Sequence, residues 1–130
     1  MSFTHTIEQS VSTTGKKISG SFPITDAQEQ LLDHVVAPSV TDQQVDTFDI
    51  IVARLKSLVI LSDQDVTIEI NSSAGSGGTL AIKANKPLIW YTGSYFANPL
   101  GVDVTALFFT TGAIPASANV QIAALVDPTP

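Results

Sequence analysis

Val66-Thr67-Ile68-Glu69-Ile70, followed by Asn71-Ser72-Ser73-Ala74-Gly75-Ser76-Gly77-Gly78 and then Thr79-Leu80-Ala81-Ile82-Lys83-Ala84, is the stretch from which the fold reads most directly. Its first segment sets three β-branched residues on one face and Thr67 and Glu69 on the other, the period of two expected of a half-buried strand. The last segment repeats the pattern, with Leu80 and Ile82 inward and Lys83 outward. The residues between them tolerate positive φ, so the stretch reads as a hairpin with a long mobile tip. On its C-terminal side the same period continues in Pro87-Leu88-Ile89-Trp90-Tyr91, where proline opens a ladder without continuing it. Ala106-Leu107-Phe108-Phe109-Thr110-Thr111 and residues 119–126 are two further strands, separated by a turn at 112–117. In the last of these Val120, Ile122, Ala124 and Val126 share a face.

Toward the N-terminus, Phe3, Ile7 and Val11 fall on one side of a loose alternation, with Thr4, Thr6 and Glu8 on the other. Ile18, Gly20, Phe22 and Ile24 form a second period-two set that Pro23 disturbs. Residues 48–52 and 57–61 are continuous apolar runs of the kind that strands buried on both faces produce, and residues 53–56 fit a single helical turn. Asp26-Ala27-Gln28-Glu29 has the form of a helix start, an acidic cap with Glu three residues on. The segment after it, Leu31 to Val36, suits helix or strand; its β neighbours place it in a strand, which Pro38 ends.

Turn signals thus recur about every 8–12 residues, the spacing of an all-β sandwich or barrel. The expected architecture is a jelly-roll-like antiparallel β-sandwich of about eight strands with at most one short helix. Residues 1–15 read as an N-terminal arm or edge strand and residues 16–130 as one sandwich domain. At 130 residues the chain is the size of one domain, large enough to bury a core without a metal or a disulfide. The net charge of -6 opposes binding to nucleic acid or anionic lipid, both of which need a cationic surface. The absence of cysteine removes disulfides, thiolate catalysis and cysteine-rich zinc sites together. No apolar run is long enough to span a membrane, and Met1-Ser2-Phe3-Thr4-His5 lacks the features of a signal peptide.

The chemistry-bearing residues are scattered. His5 and His34 stand apart from each other and from any ligand cluster. Asp63-Gln64-Asp65 is a fragment of a calcium loop without its central glycine and distant glutamate, so both aspartates read as turn residues bonding nearby amides. Gly75-Ser76-Gly77-Gly78-Thr79 has no lysine in register and leads into a strand, unlike a phosphate loop. Ser62, Ser94 and Ser117 lack a nucleophile elbow. Asn71-Ser72-Ser73 is a formal glycosylation sequon without a secretory signal to accompany it. The expectation is therefore a chain that is not an enzyme, with no catalytic residue, cofactor, metal or small-molecule substrate.

One stretch is distinctive. Trp90-Tyr91-Thr92-Gly93-Ser94-Tyr95-Phe96-Ala97-Asn98-Pro99 concentrates aromatic residues in a chain that holds only 7% of them. Three readings are open: Trp90 anchoring the core, an interface built on aromatic side chains, or a sugar-stacking platform. The interface reading takes Trp90, Tyr91, Tyr95 and Phe96 as candidates, with Phe3 and Ile7 from an arm that pairs with a neighbouring strand edge.

In order along the chain, Leu61-Ser62-Asp63-Gln64-Asp65-Val66-Thr67-Ile68, Asn71-Ser72-Ser73, Leu88-Ile89-Trp90-Tyr91-Thr92-Gly93-Ser94, Ala97-Asn98-Pro99 and Val102-Asp103-Val104-Thr105-Ala106-Leu107 resemble segments of small virion structural proteins of tailed bacteriophages. The resemblance spans residues 59–126. It implies a capsid decoration or cement protein on a jelly-roll framework, made in the host cytoplasm and placed on the outer surface of the head. Its implied partners are the major capsid protein and copies of itself, as a dimer or trimer. The alternatives are a tail or connector component, or a carbohydrate-binding module with Trp90, Tyr91 and Tyr95 as its platform.

Overall fold

The computed structural model describes residues 2–129. Its strands are β1 (Phe3–Ser12), β2 (Lys17–Asp26), β3 (Gln28–Val36), β4 (Gln43–Val45), β5 (Leu55–Ser62), β6 (Val66–Ile70), β7 (Thr79–Ile82), β8 (Leu88–Tyr91), β9 (Leu107–Thr110) and β10 (Ala118–Val126). A 3-10 turn, Val52–Arg54, is the sole helical element among the described residues.

Two four-stranded antiparallel sheets, ordered β3-β10-β5-β8 and β4-β9-β6-β7, face each other, and β1-β2 forms a third, two-stranded sheet. The pairings nest: β6 with β7, β5 with β8, β4 with β9, β3 with β10. A chain folded once at the β6–β7 turn and then wrapped so that successive strands alternate between two sheets is a jelly roll. The fold class expected from the period-two segments is thus the one observed. The hairpin that decided it is its pivot.

Alternation decides which side chains meet between the sheets. Leu58, Ile60, Val120, Ile122 and Ala124 project from one sheet toward Ile68, Ile70, Leu107 and Phe109 of the other, all of them buried. β3 is a strand because its odd and even residues divide in the same way, Leu32 and Val36 inward and Leu31, Asp33 and Val35 outward. It pairs with β10 along its whole length, from Gln28↔Val126 to Val36↔Ala118. The acidic residue expected to cap a helix instead accepts the Ala27 N–H at 2.7 Å, holding the bend between β2 and β3.

The apolar run at 48–52 is not a strand. Phe48 and Ile50 are buried, but Ile50 makes only an isolated bridge to Val104 before the 3-10 turn at Val52. This segment carries the chain from β4 in one sheet to β5 in the other, so its apolarity comes from closing the end of the sandwich and not from membership of a sheet.

The β6–β7 tip is knitted by local bonds. Gly75 N–H donates to Ser72 O, Gly78 N–H to Gly75 O and Gly77 N–H to Ile70 O at 2.9–3.0 Å. A Cβ on Gly77 would lie 2.8 Å from the Ile70 Cγ2 and 2.9 Å from that of Val102, which requires glycine there. Asn71, at φ 68°, donates its amide to Asp103 O at 2.8 Å and accepts the Thr105 N–H at 2.8 Å and its hydroxyl at 3.2 Å. The sequon asparagine is thus a brace between this tip and the 103–105 segment. Asn71→Ala removes these bonds and places a less tolerant residue at positive φ, with an expected loss of about 1.5–2.5 kcal/mol in urea unfolding at constant m.

Candidate functional site

β1 and β2 pair residue for residue from Phe3↔Asp26 to Ser12↔Lys17, closed by a turn in which the Lys16 carbonyl accepts both the N–H and the hydroxyl of Thr13. The ladder joins residues on both sides of position 15, and one edge of β1 is paired along its whole length with β2 of the same chain. Alternation makes the hairpin amphipathic. Phe3, His5, Ile7 and Val11 lie opposite Asp26, Ile24, Phe22 and Ile18 on one face, and Thr4, Thr6, Glu8 and Ser10 opposite Thr25, Pro23, Ser21 and Ser19 on the other. Pro23 is tolerated because β2 has a single ladder partner.

The base of the hairpin lies across the outer face of the β3-β10-β5-β8 sheet. His5 bridges Glu29 on β3 (Nε2 to Oε2, 2.7 Å) and Ser57 on β5 (Nδ1 to Oγ, 2.6 Å), passing over Leu125 of β10, which pairs with both. One step along the ladder, Phe22 stacks on Tyr91 of the edge strand β8, centroids 5.3 Å apart and planes at 18°. The hairpin therefore runs across the strands from β3 to β8, and the two-residue repeats that follow carry Val11 and Ile18 past the β8 edge. They are 59% and 58% exposed, although Ile7 on the same face is buried.

Glu29, His5 and Ser57 have the connectivity of an acid, base and hydroxyl nucleophile, so His5 does not stand alone as its sequence neighbours implied. With Nε2–H donating to the carboxylate, Nδ1 accepts the Ser57 hydroxyl. Ser57 is fully buried, so its hydroxyl is not presented to solvent, and the trio joins β1, β3 and β5 as a clamp. His5→Ala leaves the Ser57 hydroxyl unpaired in a buried site. The expected result is a loss of about 1–2 kcal/mol, seen first as faster amide exchange in β1 than in β5.

Immediately after β8 comes the aromatic loop. Gly93 at φ 83° turns the chain, and Ser94 N–H donates to Tyr91 O at 3.0 Å. The Phe96 carbonyl accepts the Trp90 indole N–H at 3.1 Å and the Ser94 hydroxyl at 3.0 Å. Pinned by its backbone, the loop turns its rings outward: Tyr95 is 95% and Phe96 75% exposed, edge to face at 5.3 Å.

Of the six residues expected at an interface, Tyr95 and Phe96 are thus presented to solvent. Trp90 packs its ring against the core while holding the loop. Tyr91 points to the opposite face, where Phe22 covers it, so Trp90, Tyr91 and Tyr95 share no plane on which a sugar ring could stack. Phe3 is half-buried and Ile7 buried within the hairpin base. Val11, Ile18 and Phe22 were absent from that set. The signal for them was two alternating runs flanking Thr13-Thr14-Gly15-Lys16, which a hairpin turn would have joined into one face.

The remaining candidates hold the frame. Asp63 accepts the Asn119 N–H at 2.8 Å and its amide at 2.7 Å, and Asp65 accepts the Ala84 N–H. Bonds from the Asn119 side chain and backbone hold the Asp63 carboxyl below its ordinary range. Its contribution to stability is therefore complete above the unfolded carboxylate value and is lost as pH falls through the lower folded one. Acid titration of the unfolding midpoint checks this: Asp63→Asn flattens the decline below about pH 4. His34 faces Phe109 in the interior, ring centroids 5.0 Å apart. Among the described residues no three His, Asp or Glu side chains converge as metal ligands. Compared with known proteins, the chain matches no family model, no curated sequence and no solved structure.

Proposed function

We propose that this protein works by adhesion and not by catalysis, as a structural component of a virion: a decoration protein that seats on the outer head shell of a tailed bacteriophage through the loop at 92–99. The observation that carries the reading is the Tyr95–Phe96 pair, two large aromatic rings held clear of the surface by a backbone that Trp90 and Ser94 pin in place. Exposed aromatics on a rigid loop offer contact area without the entropy cost of ordering a floppy segment. The net charge of -6 suits a position facing away from packaged DNA. The segments between residues 59 and 126 that resemble small phage virion proteins support the virion as the setting.

Quantitative mass spectrometry of purified particles tests this. A decoration protein is present in hundreds of copies per head and is recovered with emptied heads. A few copies per particle, recovered with tails, would assign the protein to a tail or connector instead, and absence from particles would end the reading.

A further inference from the structure

We propose that the overhanging half of the hairpin of one copy packs on the exposed outer face of the β3-β10-β5-β8 sheet of a second copy. Two unpartnered apolar surfaces of this one chain match each other. The first is the Val11–Ile18 cross-strand pair, carried past the β8 edge with its ladder face uncovered. The second is the sheet row next to the one that the hairpin base covers. There Leu31, Ala123, Val59 and Ile89 lie side by side across all four strands, with Leu31 67% exposed, and Val35 and Leu61 beyond it are also open to solvent. An apolar row of this kind left open to solvent marks an interaction site.

β5, at the middle of this sheet, reads as apolar on both sides in the sequence, as a strand covered on its outer face as well as its inner one does. The hairpin base already covers its first row, with His5 on Ser57 and Phe22 on Tyr91, so the same amphipathic ladder covers the next in the neighbour. One chain cannot make the contact alone. Its tip points away from β3, past β8, whereas Leu31 and Val35 sit on β3 at the opposite edge of the sheet.

Charge selects the same partner. Lys16 and Lys17 at the tip are two of the six cations in the chain. The receiving face holds Asp33 between Leu31 and Val35. Within the hairpin Lys16 and Lys17 balance Glu8 and Asp26, so the whole net charge of -6 resides on the sandwich, and a weakly basic apolar tip meets an acidic apolar face. This self-association goes beyond attachment to a shell and does not rest on it.

Because the chain has no cysteine, Ile18→Cys and Leu31→Cys each introduce a single thiol at an exposed position that tolerates substitution. Mixed under mild oxidation, the two variants are expected to form the I18C–L31C disulfide severalfold faster than either forms a homodimer. In light scattering the full chain is expected to have the mass of a closed oligomer, and Ile18→Glu or Leu31→Glu to reduce it to a monomer with an unchanged circular-dichroism spectrum. A monomer at every soluble concentration, or a mixed disulfide no faster than the homodimers, would overturn the proposal and leave the patch to a different protein.

Discussion

Phe109→Ala is expected to lower the unfolding free energy by about 3–5 kcal/mol, the range for deleting a buried aromatic ring. In a domain whose total stability is on the order of 5–15 kcal/mol, that leaves a marginal fold. Phe109 is fully buried on β9, between β4 and β6, opposite Gln43 and Ile68, and it faces the His34 ring across the interior. Strands on both sides fix the backbone, so the site cannot collapse into the space left by the ring. The cavity would also open beside the His34 Nε2, a buried nitrogen with no hydrogen-bond partner. Phe109→Leu restores most of the volume and should cost less than about 1.5 kcal/mol. Phe22→Ala, on the hairpin and outside the sandwich, should leave the urea midpoint of the core nearly unchanged. A Phe109→Ala midpoint close to wild type would mean that the two sheets do not pack around this ring.

The second large effect concerns adhesion. Tyr95→Ala combined with Phe96→Ala is expected to weaken binding to head shells about a hundredfold, since each ring truncated at an interface centre costs more than about 1 kcal/mol and tenfold in affinity is about 1.4. The fold should be untouched, because neither ring contributes to the core. Thermal unfolding of the double variant within error of wild type, together with lost co-sedimentation, is the expected pair of results. Trp90→Ala separates the two roles of this stretch: it removes the indole bond to the Phe96 carbonyl as well as core packing, so stability and binding should fall together.

How far the molecule could be read from its residues depends on the range of each interaction. β6, β7, β8 and β10 were legible because each is a short period-two segment bounded by turn residues, and the register inside a strand is local. The course of residues 48–52 was not. An apolar run records that side chains are buried, and Phe48 and Ile50 are buried by an inter-sheet crossing as fully as any strand residue would be. Trp90 and Tyr91 were grouped by composition, although adjacent residues on a strand must face opposite ways; that division was available in the sequence. The hairpin was half legible: both alternating runs were visible, but Val11 meets Ile18 only once the turn at Thr13–Lys16 folds one run onto the other. The His5 clamp was beyond reach, because its partners Glu29 and Ser57 are 24 and 52 positions away and meet through the wrapping of the jelly roll. Exposure of Tyr95 and Phe96 goes with the Gly93-Ser94 turn just before them, while the sequence left an interface, a sugar platform and a core anchor open for this stretch.

The most direct test of the account is a cryo-EM reconstruction of the particle at a resolution that orients the sandwich. Jelly-roll density is expected on the outside of the head, with the loop at 92–99 turned toward the shell and the Tyr95 and Phe96 rings in contact with it. A sandwich whose aromatic loop faces solvent, or a head shell that carries no such density, would contradict it.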